Sequence, residues 1–253
     1  MKGVLHSIQS MGTLDGPGLR TVVFLQGCSL RCKFCHSIDT TLTDRGEDVT
    51  VEELYEQVMK YKDYWGGSKS DGIRGGVTIS GGDPLGQPLF LQELVKKFHE
   101  ANVHVTVETS LYAGERAVEA LVPYIDLWMV SLKHMDDEQH MQLTGKSSRV
   151  IHENLRTLDD AITNQNLGSG IRIRFVVIPG MTDDESHIKT LGGFVSRIKN
   201  LELLELLPYV SIGKYKWVEL FGKYDLENTA EATTSDLEKV KAALQSYQLN
   251  IKI

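Results

Sequence analysis

The chain has 253 residues, of which 41% are hydrophobic and 24% are charged, a composition typical of a globular protein. Its net charge is −7 and no cluster of basic residues stands out, so we expect no nucleic acid partner. No apolar run approaches the roughly 18 to 20 residues of a membrane helix, and the N-terminus lacks the pattern of a secretory signal. These features favour a cytoplasmic protein without a membrane partner.

Six apolar runs alternate with amphipathic segments along the chain. Near-continuous apolar runs are typical of parallel strands that are covered on both faces. The six predicted strands span residues 21–26, 77–80, 103–108, 125–132, 171–178 and 201–207. Strands that alternate with helices predict an α/β fold, either a parallel barrel or part of one, and an open doubly wound sheet is the alternative. We expect residues 1–253 to form a single domain.

Capping sequences mark three helix starts. Thr50 precedes a glutamate by three residues, which is the pattern of a capping box, and the same pattern occurs at Thr182. Ser235 is predicted to open the last helix. Between the elements, the Gly/Ser-rich residues 66–72 are predicted to form a mobile loop, and residues 209–234 a long functional loop.

All three cysteines of the chain, Cys28, Cys32 and Cys35, lie within eight residues, directly after the first predicted strand. A fully ligated [4Fe–4S] cluster takes four thiolates, so three would leave one iron open to an oxygen or nitrogen of a substrate. Reductive cleavage of a sulfonium compound needs such an open iron. The alternative is a zinc site that includes His36, although zinc ligands are usually two to four residues apart and Cys35 and His36 are adjacent.

The cysteine spacing C-x3-C-x2-C, with Phe34 before the last cysteine, resembles the radical S-adenosylmethionine (SAM) superfamily. Further segments are similar to the activating enzymes of glycyl-radical enzymes, in the family's order, from about His6 to the C-terminus. They are DGPGLR (15–20), FLQGC (24–28), CH (35–36), GGVTISGG (75–82), RFVVIPG (174–180) and GKYKW (213–217). The resemblance implies a six-stranded (β/α)6 partial barrel, similar to part of a TIM barrel, with the radical SAM cluster near its top.

The resemblance also implies an activity. SAM would bind the open iron through its amino and carboxylate groups, and one electron from a flavodoxin or ferredoxin would cleave it to methionine and a 5′-deoxyadenosyl radical. That radical would take a hydrogen atom from a glycine of a partner enzyme. Pyruvate formate-lyase is the first candidate partner and another glycyl-radical enzyme the alternative. A different class of function is a non-enzymatic iron–sulfur protein. We expect a monomer.

Further site residues are expected at the carboxyl ends of the strands, where barrel enzymes hold their sites. Glycines after the second predicted strand would let the backbone approach a ligand closely. Arg172 and Arg174 share one face of a strand, and an arginine there needs an anionic partner. The cofactor-binding positions that the resemblance implies are Phe34, Cys35, His36, Gly81, Gly82, Asp83, Glu108, Thr109, Ser131, Lys133 and Arg174.

Some positions depart from the family. Val210 stands where a histidine would contact the cofactor, and Asp83 replaces a glutamate. Ser131 removes a carboxylate from the positions around a family cation site, and whether that site survives is left open by the sequence. These changes are those of a diverged paralogue, with another glycyl-radical partner or weak activity as the open alternatives. Asp15 in the DGPG segment is implied to contact the partner.

Overall fold

A computed structural model describes residues 1–67, 72 and 74–253 of the chain. The strands are β1 (Lys2–Gly12), β2 (Arg20–Leu25), β3 (Glu47–Thr50), β4 (Gly76–Gly81), β5 (His104–Thr109), β6 (Leu127–Leu132), β7 (Gly170–Val177), β8 (Leu201–Pro208) and β9 (Ile251–Lys252). The helices are α1 (Val51–Met59), α2 (Pro88–Glu100), α3 (Glu115–Glu119), α4 (Asp137–Thr144), α5 (Arg149–Asn164), α6 (Glu185–Val195), α7 (Lys214–Phe221) and α8 (Thr234–Ala243).

The strands of these described residues form one sheet in the order β3-β1-β2-β4-β5-β6-β7-β8-β9. The six predicted strands are β2 and β4 to β8, and they pair in parallel in chain order. Because this order never reverses, the connecting helices cover one face of the sheet. The partial parallel barrel is therefore confirmed, and the doubly wound alternative is wrong. The sequence did not predict β1 and β3, which add an antiparallel edge, or β9.

Strand alternation separates an apolar outer face from an inner face that carries several polar side chains. On β7, Ile171, Ile173 and Phe175 are fully buried in the core between the sheet and the helices. Arg172 and Arg174 therefore point to the opposite, inner face, because successive side chains of a strand alternate. The polar side chains of the inner face include Thr78, Ser80, Thr106, Glu108, Ser131 and Glu205.

The capping predictions had mixed outcomes. Thr50 forms the predicted capping box at the start of α1. The prediction at Thr182 is wrong, because its hydroxyl donates to Val176 O and accepts from Ile178 N, and Asp184 caps α6 instead. At the last helix the cap is Thr233 rather than Ser235.

The two predicted loops, 66–72 and 209–234, have different outcomes. Residues 68–71 and 73 lie outside the described residues, and so does most of the predicted loop 66–72. The prediction of one long loop over residues 209–234 is wrong, because α7 lies within it. This helix buries none of its residues fully, so no apolar periodicity marks it in the sequence. Among the described residues, no helix is both long and apolar enough to cross a bilayer.

Candidate active site

The three cysteines lie in a loop that follows the carboxyl end of β2, here called the cysteine loop (residues 26–42). They are free and partly buried. Burial disfavours a thiolate, and it raises the pKa of Cys28 and Cys32 to about 12 and that of Cys35 to about 11. Such thiols become thiolates when a cation compensates the lost hydration, and a set of thiolates fits iron–sulfur chemistry.

No mononuclear site is preformed there. Within residues 1–67, 72 and 74–253, no three His, Cys, Asp or Glu side chains are grouped as ligands of one metal ion. A tetrahedral zinc site would need four donors around one ion. In a [4Fe–4S] cluster, by contrast, each thiolate binds a different iron. The donor set therefore fits the cluster, and its assembly on these cysteines remains a prediction.

Backbone hydrogen bonds hold the cysteine loop against its neighbours. Cys35 N donates to Cys32 O at 2.9 Å, which closes a tight turn around Phe34. Arg31 N and Lys33 N donate to the last carbonyls of α4, at 2.8 and 3.0 Å. These carbonyls lack partners within the helix, so the two bonds satisfy the N–H groups of the loop and the carbonyl groups of the helix at once.

Gly81 and Gly82 lie where the end of β4 meets the cysteine loop. A Cβ atom at Gly81 would stand 2.2 Å from Leu25 O, and one at Gly82 would stand 2.3 Å from Gly27 O. Only glycine fits at these contacts, and Gly81 also has a φ of +122°. The structure thus accounts for both glycines through packing of backbone on backbone, and their contact with a cofactor stays a prediction.

Asp83 joins the carboxyl ends of β4 and β5. Its Oδ1 accepts from Thr109 Oγ1 at 2.7 Å, and its Oδ2 accepts from Ser110 N at 2.9 Å and Ser110 Oγ at 2.5 Å. Oδ1 also accepts from Leu85 N at 3.1 Å. The carboxylate is buried and well bonded, so its observed role is to position strand ends. Direct contacts of Asp83 and Thr109 with a cofactor remain predictions.

Arg174 lies between two carboxylates on the inner face. Its Nη1 is 2.5 Å from Glu108 Oε1, and its Nε is 3.3 Å from Glu205 Oε2. Glu108 also accepts from Ser80 Oγ at 2.8 Å, and Glu205 pairs with Lys252 Nζ at 3.0 Å. The anionic partner that the sequence required for Arg174 is thus supplied by the protein itself.

The electrostatics of this group follow from burial and pairing. Burial alone would raise the pKa of Glu108, but the adjacent Arg174 guanidinium and the Ser80 hydroxyl outweigh burial and lower it. The pKa of Asp15 is raised, first by burial and then by the negative charge of Glu108. The predicted partner-binding residue therefore lies partly inside the barrel, within the electrostatic reach of the inner face.

Arg20 closes the amino end of the barrel. Its guanidinium is fully buried and donates to Val77 O at 2.6 Å, Pro17 O at 2.8 Å and His104 O at 3.1 Å. Burial lowers the pKa of Arg20 to about 9, and the negative charge of Asp126 opposes this shift only in part. Beside it, Arg74 Nη2 pairs with Glu202 Oε1 at 2.8 Å. These contacts tie the beginnings of β2, β4, β5 and β8 together.

Comparison with known proteins identifies the family. The Radical SAM superfamily model matches residues 22–191. A pyruvate formate-lyase-activating enzyme of Staphylococcus epidermidis is 39% identical over 260 aligned positions, which cover 100% of this chain and 98% of that protein. The chain belongs to the radical SAM superfamily. Membership implies SAM and a [4Fe–4S] cluster as cofactors.

Solved structures agree with this assignment. A domain of a pyruvate formate-lyase-activating enzyme from Bacteroides vulgatus has a TM-score of 0.58 at 26% identity, covering 71% of this chain and 98% of that chain. A radical SAM methyltransferase from Sphaerobacter thermophilus has a TM-score of 0.66 at 18% identity, covering 92% of this chain and 65% of that one. The second likeness is one of fold alone.

The remaining predicted radical SAM residues lie around the cysteine loop or at strand ends. Lys133 Nζ lies 5.4 Å from the centre of the Phe34 ring, a cation–π contact that brings two predicted cofactor residues together. Ser131 pairs in register with Arg174. Val210 is 38% exposed and precedes a short 3-10 turn. Burial lowers the pKa of His36 and so favours its neutral form.

Sequence reasoning missed Glu205 and Trp217. Glu205 is one of two carboxylates, with Glu202, in the otherwise apolar run of β8, and that irregularity was a readable signal. Trp217 lies in the GKYKW segment, where no single residue reveals that the indole reaches back to the cysteine loop.

Proposed function

We propose that this protein is an activase that cleaves SAM reductively at a [4Fe–4S] cluster bound by Cys28, Cys32 and Cys35, and that it generates a glycyl radical on pyruvate formate-lyase. The observation that carries the proposal is the cysteine loop itself. Three cysteines without a fourth in the chain lie at the carboxyl edge of a parallel sheet. Relatives that align over the full chain and bear the name of such activating enzymes support the choice of partner.

The residues of the chain have distinct parts in this function. The bound cluster would supply the electron that breaks the sulfonium bond of SAM. The cysteine loop and α4 would shield that centre from water. Backbone groups at Gly81 and Gly82 would hold the methionine amino group, and Arg174 would contact the cofactor from beside its present partners. Lys133, beside Phe34, would add a positive charge at the same carboxyl end of the barrel.

Other contacts belong to the proposal as well. Direct cofactor contacts are proposed for His36, Asp83, Glu108, Thr109 and Ser131, and a partner contact for Asp15. We further propose a single-domain, monomeric, cytoplasmic protein that receives its electron from a flavodoxin or ferredoxin.

A second partner is favoured by one observation. Val210 presents an exposed apolar side chain where the family carries a histidine. Activation of a different glycyl-radical enzyme would fit this altered site mouth.

Anaerobic reconstitution with iron and sulfide, followed by dithionite and SAM, tests the function. We expect 5′-deoxyadenosine, and a glycyl radical signal by electron paramagnetic resonance (EPR) when pyruvate formate-lyase is added. The Cys32→Ser variant is the control and should give neither. Deoxyadenosine without a radical on this partner would favour another glycyl-radical enzyme. An intact cluster without any SAM cleavage would contradict the activase and leave a non-enzymatic iron–sulfur protein.

A further inference from the structure

Helix α7 is hydrogen-bonded to the cysteine loop through two adjacent side chains. Trp217 Nε1 donates to Cys35 O at 2.8 Å. Lys216 Nζ donates to both carboxylate oxygens of Asp39, at 2.8 and 2.9 Å. Both acceptors lie in the last part of the cysteine loop, one on the third cysteine itself and the other on Asp39 beyond it. A segment about 180 residues later in the sequence therefore holds this part of the loop.

The turn before α7 reinforces this attachment. Gly213 is buried, and a Cβ atom there would stand 2.3 Å from His36 Cα and 3.1 Å from Cys35 O. The backbone of the turn thus lies directly on the peptide that follows Cys35. Any larger residue at Gly213 would push α7 away from the loop.

The attachment also stabilises α7. The helix has eight residues and none is fully buried, and so short a helix is unstable by itself. The Trp217 ring contacts Phe221 at 5.4 Å and Tyr224 at 6.0 Å between centroids, which fixes the indole on the loop. Tyr224 belongs to a small apolar cluster that also contains Phe34. The same cluster thus packs against both the helix and the cysteine loop.

Asp39 is held from two directions. Its carboxylate receives Lys216 from α7, and its Oδ2 lies 3.3 Å from His6 Nε2 of β1. Burial alone would raise the pKa of Asp39, but the bonds from Lys216 outweigh burial and lower it. The ionised carboxylate therefore joins the antiparallel edge of the sheet, the cysteine loop and α7.

We propose that Trp217 and Lys216 are positioning residues that fix the Cys35 end of the cysteine loop and so set how firmly the cluster is retained. This inference rests on the proposed function, since it requires a cluster on the three cysteines. Without the indole N–H, the Cys35–His36 peptide loses its restraint and the Cys35 thiolate can turn away from its iron. Groups that orient metal ligands in this way typically contribute about 10- to 100-fold to metal retention.

The test compares Trp217→Phe with Trp128→Phe. Phenylalanine keeps an aromatic ring at position 217 but removes the N–H donor. The indole N–H of Trp128 is buried and bonds to no acceptor in the described part of the chain, so its variant controls for loss of a tryptophan. Each reconstituted protein is mixed anaerobically with a ferrous chelator, and the decay of the visible cluster absorbance is followed. We expect decay about 10- to 100-fold faster in Trp217→Phe, and unchanged in Trp128→Phe.

Two further measurements separate positioning from general loss of structure. The unfolding midpoint of the apoprotein should fall no more in Trp217→Phe than in Trp128→Phe. The EPR signal of the reduced cluster should change in Trp217→Phe alone. Lys216→Met is a second variant, which breaks the bond to Asp39, and it should also speed cluster loss.

The outcomes distinguish the two proposals. If the wild-type protein binds no cluster after reconstitution, both the proposed function and this inference are wrong. If the wild-type protein holds a cluster and cleaves SAM, but Trp217→Phe and Lys216→Met lose the cluster at the wild-type rate, only the positioning role is overturned.

Discussion

The outer and inner faces of the sheet are made by the same strands from opposite kinds of residue. On β7, Ile173 and Phe175 are fully buried in the apolar core, whereas Arg174 between them pairs with Glu108 and Glu205. A closed (β/α)8 barrel usually fills its interior with branched apolar side chains. Burying ion pairs contributes little net stability, because desolvation offsets the attraction. The outer face therefore stabilises the fold, and under the proposed function the inner face would serve chemistry.

Of the variants that compare the two faces, Arg174→Met should lower the free energy of unfolding the most. It leaves Glu108 and Glu205 partly buried without their shared cation, so we expect a loss of about 3–5 kcal/mol in the free energy of unfolding. Urea unfolding of the apoprotein measures this loss. SAM affinity, measured by anaerobic titration of the reconstituted protein, should fall as well.

The matched control replaces the whole inner group. The triple variant Arg174→Met, Glu108→Leu, Glu205→Met should recover most of the lost stability, because no unpaired charge remains buried. Lys252 loses Glu205 as its partner, but its side chain is 61% exposed. It should still fail to cleave SAM. A triple variant as unstable as Arg174→Met alone would show that the inner charges stabilise the fold.

Two neutral histidines at the carboxyl ends of the strands, His134 and His187, should make the stability of the fold decrease at acidic pH. The rings of His134 and His187 stack at 3.7 Å, and His187 Nε2 accepts from Met135 N at 2.9 Å. Burial first, and then the neighbouring His134, lower the pKa of His187 to about 4 from 6.5. Asp136 and Asp184 also face the pair and oppose that shift only in part.

The direction of the pH effect follows from this lowered pKa. The unfolded chain takes up the proton more readily than the folded one, so the stability due to neutral His187 is complete above pH 6.5 and is lost progressively down to about pH 4. The loss reaches about 3 kcal/mol. The free energy of unfolding of the apoprotein, measured in urea, should differ less between pH 7 and pH 5 for His187→Gln than for the wild type. Equal differences would contradict this role. His152, with a pKa also near 4, is unchanged in both proteins.

Ile173→Val should have a smaller effect, and on stability only. Removal of one buried methylene from the outer face costs about 0.5–1.5 kcal/mol. The rate of SAM cleavage by the reconstituted enzyme should not change. Reduced cleavage at unchanged cluster content would show that the two faces are coupled through the strand.

Much of the fold was predictable because the outer face imprints near-continuous apolar runs on the central strands. Residues 171–178 are one example, although Arg172 and Arg174 interrupt that run. Strand β1, second from the edge of the sheet, was not predictable, because His6, Ser7 and Gln9 interrupt its apolar residues and only pairing with β2 and β3 makes it a strand. Its conformation depends on neighbours that a local pattern does not contain.

The candidate site was predictable in its chemistry and less so in its contacts. The cysteine spacing specified the donor set by itself. The need of Arg174 for an anion was also readable, but its partners lie 66 and 31 positions away in the sequence. Likewise, Asp83 gave no local sign that Thr109 and Ser110 would occupy its carboxylate. Contacts between residues distant in sequence are fixed by the topology of the sheet.

Val210→His should have the smallest effect. One hydrogen bond to the cofactor is worth about 0.5–1.5 kcal/mol, so SAM affinity should rise by about 2- to 10-fold. Anaerobic titration of the reconstituted variant measures this change, with Val210→Ala as the control for loss of the apolar side chain. Unchanged affinity would mean that position 210 does not face the cofactor.

The buried Arg20 has a consequence for how substrates and products reach and leave the site. Its guanidinium and the Arg74–Glu202 pair bind the amino ends of the strands together, so under the proposed function the inner face would be reached from the carboxyl ends. Under the proposed function, SAM, its cleavage products and the glycine-bearing segment of the partner all share this opening. A docked partner would then delay the departure of methionine and nucleoside. The turnover rate would accordingly depend on the binding and release of these molecules as much as on the chemical step.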